Sequence, residues 1–433
     1  RCLYAAVIGT ENLEKGFKVV AAHGDSPRID LKPQPLYQEA NLGFFKTHYY
    51  GGIKKYQWST IPLAIHGVVV LNDGKKVDIC IGEDMFELNN EYNGFKCIKK
   101  ETISDIKSEG FIFEHNKTKA KLVYLKNEDK NKVFSIGFRT PVSDNTGVPH
   151  IIEHSVLCGS KKFPVKEPFV ELMKSSLNTF LNAMTFPDKT IYPVASCNEQ
   201  DFRNLMDIYM DAVLYPNIHT KEEIFKQEGW HYELDSTDGE IPYNGVVYNE
   251  MKGAFSSSDE ILARESFNSL FPDTSYGVES GGNPDFIPTL TYEKFKEFHK
   301  KYYHPSNSYI IIYGNCDMEE TLSWLDKEYL SNFEKLDIDS SLKEQVAFKE
   351  LKEKTVYYPI NEEQGVDNKT LMSYNIALPA YINQTELFAI DIISQVLLKA
   401  AGAPLERALL DEGIGDVVEG SFEASILQPM FTI

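Results

Sequence analysis

At 433 residues the chain is long enough for two or three domains, each with its own core. Its 64 acidic and 44 basic side chains give a net charge of −20, which argues against nucleic acid or an anionic membrane as partner and is compatible with cationic peptides. Six cysteines without a CxxC pair, no apolar run near about 18 residues and no signal-peptide layout predict a cytoplasmic protein of bacterial type.

Residues 1–84 have a different character from the rest of the chain. Here β-branched or aromatic runs, FKVVAAH (17–23), THYYGG (47–52) and IPLAIHGVVVL (61–71), alternate with Gly, Pro and Asn-Asp-Gly breaks, which is the pattern of strands. At Met85 the sequence restarts as an open reading frame would. We therefore predict a domain boundary at this point.

The second part opens with a predicted hairpin, in which AKLVYL (120–125) and KVFSIGFRT (132–140) are strands joined by KNEDKN. Two amphipathic helices are predicted after it. Their core-facing residues, spaced i, i+3, i+4, are Phe169, Leu172, Met173, Leu177, Phe180 and Leu181 in one and Phe202, Leu205, Met206, Tyr209 and Val213 in the other. SNSYIIIYGN (306–315) predicts a further strand after a long helical stretch.

A charged, serine-bearing stretch separates two further predicted domains. It covers about 333–355 and predicts a linker at 341–354 between a domain over 85–340 and another over 355–433. The last region has a predicted strand, TLMSYNIAL (370–378), and a helix beginning at Thr385. We expect the chain to stop in the middle of this domain.

The stretch TGVPHIIEHSVLCGS (146–160) carries the clearest chemistry. On a helix, His150 and His154 lie one turn apart on one face, so both rings can direct a nitrogen at one ion. Glu153 would project beside that ion and could take a proton from water without serving as a ligand, and Pro149 suits the first helical turn. The order H-x-x-E-H is that of the inverzincins. A hydrogen-bonded structural histidine is the alternative for any single histidine and suits His66, His115, His219 and His299.

Catalytic zinc usually has three protein ligands and one open position, so a third ligand must come from elsewhere. GVVYNEMKGAFSS (245–257) is the best candidate, because Glu250 follows a strand-like GVVY and begins a helical run. Glu228, in KQEGWHYEL, is the nearest rival, and its structural alternative is an acid at a helix end. Cys158, four residues after His154, invites a His/Cys site.

Five stretches together resemble the pitrilysin/insulinase family of inverzincin metallopeptidases, and more narrowly its presequence-protease, falcilysin-like subgroup. In chain order they are VPHIIEHSVLCGSKKFPVKEPFVEL, LNTFLNAMTFPDKTIYPVAS, QEGWHYEL, GVVYNEMKGAF and YYHPSNSYIIIYG. The resemblance runs from about Met85 to the end of the chain. It implies an α+β fold of the LuxS/mitochondrial-processing-peptidase type, an antiparallel-rich sheet packed with helices, followed by the start of a second similar domain.

The resemblance also implies roles for particular residues. His150, His154 and Glu250 would bind one Zn²⁺, and Glu153 would be the general base. Cys158 would belong to the core, because the family motif carries a cysteine there without using it for zinc. An edge strand would pair with an extended peptide through Leu181, Asn182, Ala183, Met184 and Thr185. An ordinary edge strand with an Asn turn is the alternative.

The implied function is a zinc-dependent endopeptidase that cuts short unstructured peptides. Family members are longer and close two halves around a chamber, the second half supplying an Arg and a Tyr. We therefore expect zinc binding with weak or absent activity from this chain alone, the C-terminal half being its missing partner. The alternative is a non-catalytic peptide-binding or assembly subunit on the same fold. Such subunits typically lose part of the H-x-x-E-H motif, which is intact here.

Residues 19–58 resemble the front of an aspartyl-aminopeptidase-type dinuclear zinc peptidase. The resemblance implies a zinc-binding histidine at His23 and an orienting acid at Asp25. The remaining ligands of such enzymes follow further along their chains, and this chain changes to the other family first. A truncated aminopeptidase is thus a third possible function. Residues 1–84 are either a reading frame joined at Met85 or a true fusion that packs as an extra strand layer.

Overall fold

The computed structural model of the protein covers most of the chain. The described residues are 28–39, 42–58, 65–70, 74–81, 86–165, 168–234, 239–361, 365–380 and 383–433. They form two compact units that divide between Met85 and Phe86, and each unit is considered by itself. The bounds expected for the linker and for the last domain stay predictions.

The first unit consists largely of strands, as its β-branched runs predict. Its elements are β1 (Arg28–Glu39), β2 (Leu42–Tyr50), α1 (Lys55–Trp58), β3 (Ile65–Val70) and β4 (Lys76–Ile81). β1 pairs antiparallel with β2, and β3 pairs antiparallel with β4. The runs at 47–52 and 61–71 therefore lie largely on β2 and β3. The run at 17–23, with His23, and the nearby Asp25 lie outside the described residues.

A nine-stranded sheet forms the centre of the second unit. Its strands are β5 (Glu91–Tyr92), β6 (Phe95–Ile103), β7 (Ser108–His115), β8 (Lys121–Lys126), β9 (Lys132–Arg139), β10 (Asn178–Leu181), β11 (Met184–Thr185), β12 (Lys189–Ser196) and β15 (Ser308–Gly314), while β13 (His231–Tyr232) and β14 (Tyr243–Asn244) form a separate pair. The order is β10–β12–β9–β15–β8–β7–β6–β5, and β11 also pairs with β12. Phe134, Ile136 and Phe138 are buried along β9, as its alternation predicts.

The predicted hairpin of β8 and β9 is wrong, although both strands form. β15 lies between them, parallel to β8 and antiparallel to β9. Ile310 and Ile312 of β15 are fully buried, so this apolar strand gains most from a central position. The five-residue loop between β8 and β9 is long enough to span two strand spacings of roughly 4.8 Å each. Local turn residues predicted the two strands but could not predict which strand each would pair with.

Helices pack on this sheet and carry much of the core. They are α2 (Val148–Val156), α3 (Pro168–Ser175), α4 (Glu199–Leu214), α5 (Glu222–Glu228), α6 (Val246–Ala254), α7 (Ser258–Leu270), α8 (Tyr292–Tyr302) and α9 (Met318–Trp324). The stripe of core-facing residues predicted on α4 is confirmed. Its members, Phe202, Leu205, Met206, Tyr209 and Val213, are all buried. Asn198 caps α4 by accepting a hydrogen bond from the backbone N–H of Asp201.

The other predicted stripe does not lie on one helix, although Leu172 and Leu181 do pack against the core. α3 ends at Ser175, and Phe180 and Leu181 belong to β10. The Ser175 hydroxyl donates to Glu171 O, while the Ser176 hydroxyl donates to Asp201. Serines that bond locally to backbone and to nearby acids compete with helical hydrogen bonding, which ends the helix here. Met173 and Leu177 are consequently 57% and 64% exposed and do not face a core.

The final elements form a small sheet with helices beside it. They are β16 (Asn375–Ala377), α10 (Gln384–Ser394), α11 (Pro404–Asp411), β17 (Ser421–Glu423) and β18 (Met430–Thr432). The order is β16–β18–β17, all antiparallel. The strand predicted over 370–378 is thus shorter than expected, and α10 begins one residue before the predicted helix.

One helical stretch departs from the expectation that no run approaches membrane-spanning length. Gln384–Asp411, 28 residues long, meets the length and composition of a membrane span, and only 17% of its most apolar part is buried. A core helix of a soluble protein meets the same criterion, although such a helix would be mostly buried. The absence of a membrane partner stays a prediction.

His299 is a structural histidine, one of those for which the sequence favours that alternative. Its Nε2 donates to Val213 O at 3.0 Å, which leaves its Nδ1 to accept a hydrogen bond from His219 Nε2, also at 3.0 Å. Burial first, and then the nearby His219 and Lys300, lower the pKa of His299 to about 3. The folded protein therefore holds this imidazole neutral.

The stability that His299 contributes is present above the pKa that this histidine has in the unfolded chain. It is lost as the pH falls from there towards the folded-state pKa of about 3. Between pH 7 and pH 5 this group alone should remove about 2 kcal/mol from the free energy of unfolding. His299→Gln keeps a donor and an acceptor without a titrating group. Between pH 7 and pH 5 the free energy of unfolding of this variant should therefore fall by about 2 kcal/mol less than that of the wild type. Urea unfolding at both pH values measures this. Equal losses in the two proteins would contradict the assignment.

Candidate metal centre

The start of α2 is fixed by a close backbone approach. Gly147 caps the helix with a left-handed φ of 67°. A Cβ at this position would lie 2.6 Å from Gly281 O, so a side chain there would push the two segments apart. Pro149 occupies the first turn as predicted. His150 and His154 then project one turn apart on one face of α2, with ring centroids 5.0 Å apart.

Glu250 lies on α6, in a local structure that differs from the prediction. The strand expected over GVVY is wrong, because α6 begins at Val246. The chain turns at Gly245, where a Cβ would be only 2.2 Å from Gly229 O. Val247, in the first turn of the helix, is fully buried in the core. Its burial outweighs the preference of two adjacent valines for a strand.

The structure brings the three predicted ligands together. Nε2 of His150 and Nε2 of His154 each lie 3.8 Å from Oε2 of Glu250. One donor atom from each residue lies within 4.8 Å of the others, and no second cluster of this kind is found in the part of the chain that the structure describes. The two histidines are only partly buried, and the Glu250 side chain is 53% exposed, so the centre opens to solvent.

The donor set fits zinc. Bonds of 2.0–2.1 Å in a tetrahedron place ligand atoms roughly 3.4 Å apart, so the observed 3.8 Å separations need only a small inward movement. Two imidazoles and a carboxylate are typical ligands of a catalytic zinc site, which keeps a fourth position open. The role of these three residues as ligands stays a prediction, and the geometry agrees with it.

Each histidine is held by a second group on its other ring nitrogen. His150 Nδ1 donates to Gly281 O at 3.0 Å, and His154 Nδ1 lies 3.4 Å from Oε2 of Glu228. With Nδ1 engaged, the Nε2 atoms are left to face the ion, as is usual for histidines that bind zinc. Glu228, the rival ligand in the sequence, approaches the Nδ1 side of His154 and therefore does not share the position of Glu250.

The site has a strong negative character. Burial lowers the pKa of His154, but the carboxylates of Glu228, Glu153 and Glu250 outweigh burial and raise this pKa above its usual value. The field that favours a proton on His154 would equally favour a divalent cation, which displaces that proton when it binds.

Glu153 is buried, with 7% exposure, on the turn of α2 between the two histidines. Three tyrosines surround this part of the helix. Burial, and to a smaller extent the charge of Glu153, raise the pKa of Tyr192, Tyr209 and Tyr303. These phenols therefore stay protonated. Glu153 thus lies in a largely enclosed setting next to the metal-binding face.

The predicted substrate strand lies at an edge of the sheet, in two pieces. Leu181 ends β10, Met184 and Thr185 form β11, and both strands pair with β12. Asn182 and Ala183 lie between them, and Tyr209 donates a hydrogen bond to Asn182 O at 3.2 Å. Helix α2 packs beside β11. The edge is therefore next to the helix that carries both histidines, while its role in binding peptide stays a prediction.

Two groups at the centre were not found from the sequence in their present roles. Gly281 contributes a backbone carbonyl, which leaves no mark on the residue type. For Glu228 the sequence offers only a ligand or a helix-end acid. A signal for its role did exist, because an acid at the last residue of a helix is disfavoured by the helix dipole and so calls for a specific reason.

Comparison with known families separates the chain in two. The model described as "Insulinase (Peptidase family M16)" matches residues 133–247, and that described as "Peptidase M16 inactive domain" matches 289–433. From residue 133 onwards the chain belongs to peptidase family M16. The model "Aminopeptidase I zinc metalloprotease (M18)" matches residues 2–85, in agreement with the resemblance of that part.

Curated relatives support the M16 assignment. The chain is 56% identical over 348 residues to Protein HypA of Clostridium perfringens, covering 80% of this chain and 36% of that protein. It is 47% identical over 346 residues to presequence protease 1, chloroplastic/mitochondrial, of Arabidopsis thaliana, covering 78% of this chain and 32% of that protein. The chain thus spans about a third of the length of these relatives.

Solved structures confirm the expected α+β fold. Pitrilysin superposes with a TM-score of 0.56 at 14% identity, covering 78% of this chain and 35% of pitrilysin. A protease from Helicobacter pylori superposes with a TM-score of 0.54 at 17% identity, covering 77% of this chain and 74% of that protein. At these identities the likeness shows the M16 peptidase fold alone.

Gly147→Ala tests the close approach of Gly147 to Gly281, whose carbonyl oxygen orients His150. The new Cβ would meet Gly281 O and would also require a left-handed φ, so we expect the free energy of unfolding to fall by about 1–3 kcal/mol. Moving the Gly281 carbonyl away from His150 should also weaken zinc binding. Chemical denaturation and metal titration measure the two effects.

Gly253→Ala is the matched control for this change. Gly253 lies in α6, and a Cβ there meets nothing within 4 Å. Alanine should raise the free energy of unfolding by about 0.5–1 kcal/mol through helix propensity. A Gly147→Ala protein as stable as Gly253→Ala, with undiminished zinc affinity, would show that the contact between Gly147 and Gly281 does not position His150.

Proposed function

We propose that this chain carries the metal-binding part of a zinc endopeptidase that hydrolyses short unstructured peptides. The observation that supports this most is the convergence of His150 Nε2 and His154 Nε2 on the Glu250 carboxylate, with Glu153 between the histidines on the same helix. Membership of peptidase family M16 and identity to a presequence protease point to the same chemistry.

The residues divide the work between holding a metal and moving a proton. His150, His154 and Glu250 would hold zinc, which supplies Lewis acidity to the attacking water and to the scissile carbonyl. Glu153 would take a proton from that water and later deliver it to the leaving nitrogen, so that the amine departs neutral. Its position between the histidines, one residue before His154, suits a base that acts beside the ion without binding it.

The edge formed by β10 and β11 would hold the substrate as an added strand. Pairing through the main chain makes little demand on sequence and requires an extended peptide, which suits unstructured substrates. The stretch from Leu181 to Thr185 is supported in this role by its position beside α2. A folded protein could not present an extended segment to this edge without local unfolding.

The alternative, a non-catalytic subunit, would keep the fold without needing the metal centre. The complete H-x-x-E-H motif, with a third donor in reach of both histidines, favours the enzyme. Because the chain spans about a third of the length of its relatives, we expect its own peptidase activity to be weak or absent. Metal binding and proton transfer can nevertheless be tested separately.

Glu250→Gln and Glu153→Gln should separate the ligand from the base. Glu250→Gln removes a charged donor, so bound zinc should fall from one per chain to well below half at equal total metal, as measured by mass spectrometry of the dialysed protein. Glu153→Gln should keep its zinc, and it should lower hydrolysis of a quenched fluorescent peptide by at least about 100-fold wherever the wild-type rate is measurable.

Glu240→Gln is the control, since Glu240 is exposed on the surface and lies outside the centre. It should match the wild type in zinc content and rate. Full zinc retention by Glu250→Gln would show that the ligand assignment is wrong. Hydrolysis by Glu153→Gln at the wild-type rate would show that the assigned base is wrong.

A further inference from the structure

Glu228 is a buried acid in a place that disfavours one. It is the last residue of α5, and its side chain is only 8% exposed. The carboxyl end of a helix carries partial negative charge, so a carboxylate there is repelled as well as desolvated. Among the described residues, His154 is the ion-pair partner of Glu228. A structural role alone does not explain why an acid occupies this position.

The contacts of Glu228 aim one of its oxygens at the metal centre. Oε1 accepts hydrogen bonds from Gln227 Nε2 at 3.1 Å and from Cys158 Sγ at 3.4 Å. Oε2 is thereby turned towards His154 Nδ1, 3.4 Å away. Cys158 is also within hydrogen-bond reach of His154 O, at 3.5 Å, so this thiol links the end of α2 to Glu228 on α5. The carboxylate is held on one side and faces the imidazole on the other.

We propose that Glu228 is a positioning residue of the metal centre. By accepting the Nδ1 proton of His154, it fixes the ring orientation and the tautomer that leave Nε2 facing Glu250. Its charge also makes the imidazole a stronger donor to a cation. The two histidines thus differ, because His150 is held by the neutral carbonyl of Gly281 and His154 by a carboxylate. This inference rests on the proposed function, since it requires that His154 bind zinc.

A positioning role and a structural role predict different results for Glu228→Gln. Gln has nearly the same shape and keeps an acceptor, so the packing of α5 on α2 should persist. Removing a buried charge from the end of a helix should leave the unfolding free energy of the metal-free protein unchanged or higher. The same change should weaken zinc binding, because the partner of His154 becomes neutral. A purely structural acid would instead give a less stable protein with unaltered metal affinity.

The experiment measures zinc affinity by competition with a chromogenic chelator at pH 8, together with urea unfolding of the metal-free protein. Glu228→Gln should bind zinc roughly 10–100-fold more weakly than the wild type. Glu228→Leu, which has no acceptor, should lose at least as much. Cobalt substitution provides a spectroscopic signature, since a His154 that is a weaker donor (Gln) or is also reoriented (Leu) should shift the visible absorption of the bound Co²⁺. Glu223→Gln, an exposed acid on the same helix, is the matched control and should equal the wild type throughout.

The outcomes separate this inference from the proposed function. A wild-type chain that binds no zinc contradicts the proposed function itself. A wild-type chain that binds zinc, with Glu228→Gln within twofold of its affinity and with the same cobalt spectrum, overturns the positioning role alone. A metal-free Glu228→Gln protein that is markedly less stable, with unchanged zinc affinity, assigns Glu228 to the scaffold and also overturns the proposal.

Discussion

Two imidazole nitrogens and one carboxylate oxygen lie close enough to share an ion, and the other features of the centre serve that convergence. His150 Nε2 and His154 Nε2 reach the same oxygen of Glu250, each at 3.8 Å. Bringing these groups together without a cation concentrates negative charge, which the raised pKa of His154 reflects. An arrangement of this kind is unfavourable by itself and becomes favourable when a dication is bound.

The scaffold holds the convergence from three sides. α2 supplies both histidines, α6 supplies Glu250, and the loop at Gly281 together with the end of α5 supplies the groups that orient the rings. Two glycines make the close packing possible, because a Cβ at Gly147 or at Gly245 would collide with the backbone of a neighbouring segment. Backbone contacts and buried polar groups therefore determine the geometry as much as the ligands do.

The sequence predicted what depends on local spacing and missed what depends on tertiary contacts. The i, i+4 histidines, the stripe on α4 and the strands β8 and β9 follow from periodicity within one element. The insertion of β15 between β8 and β9, and the helical start at Val246, depend on burial against distant residues, which local propensity does not encode. Glu250 follows from the family resemblance and from a local pattern whose predicted strand is wrong, and not from spacing. Gly281 acts through its backbone, so no residue pattern could reveal it.

X-ray absorption at the zinc edge of the zinc-loaded chain tests the central claim most directly. The account predicts nitrogen and oxygen neighbours at about 2.0–2.1 Å and the outer-shell scattering of two imidazole rings, with no sulfur at about 2.3 Å. A sulfur neighbour, such as Cys158 would supply, or the signature of a single imidazole, would contradict the assignment of His150, His154 and Glu250 as the ligands.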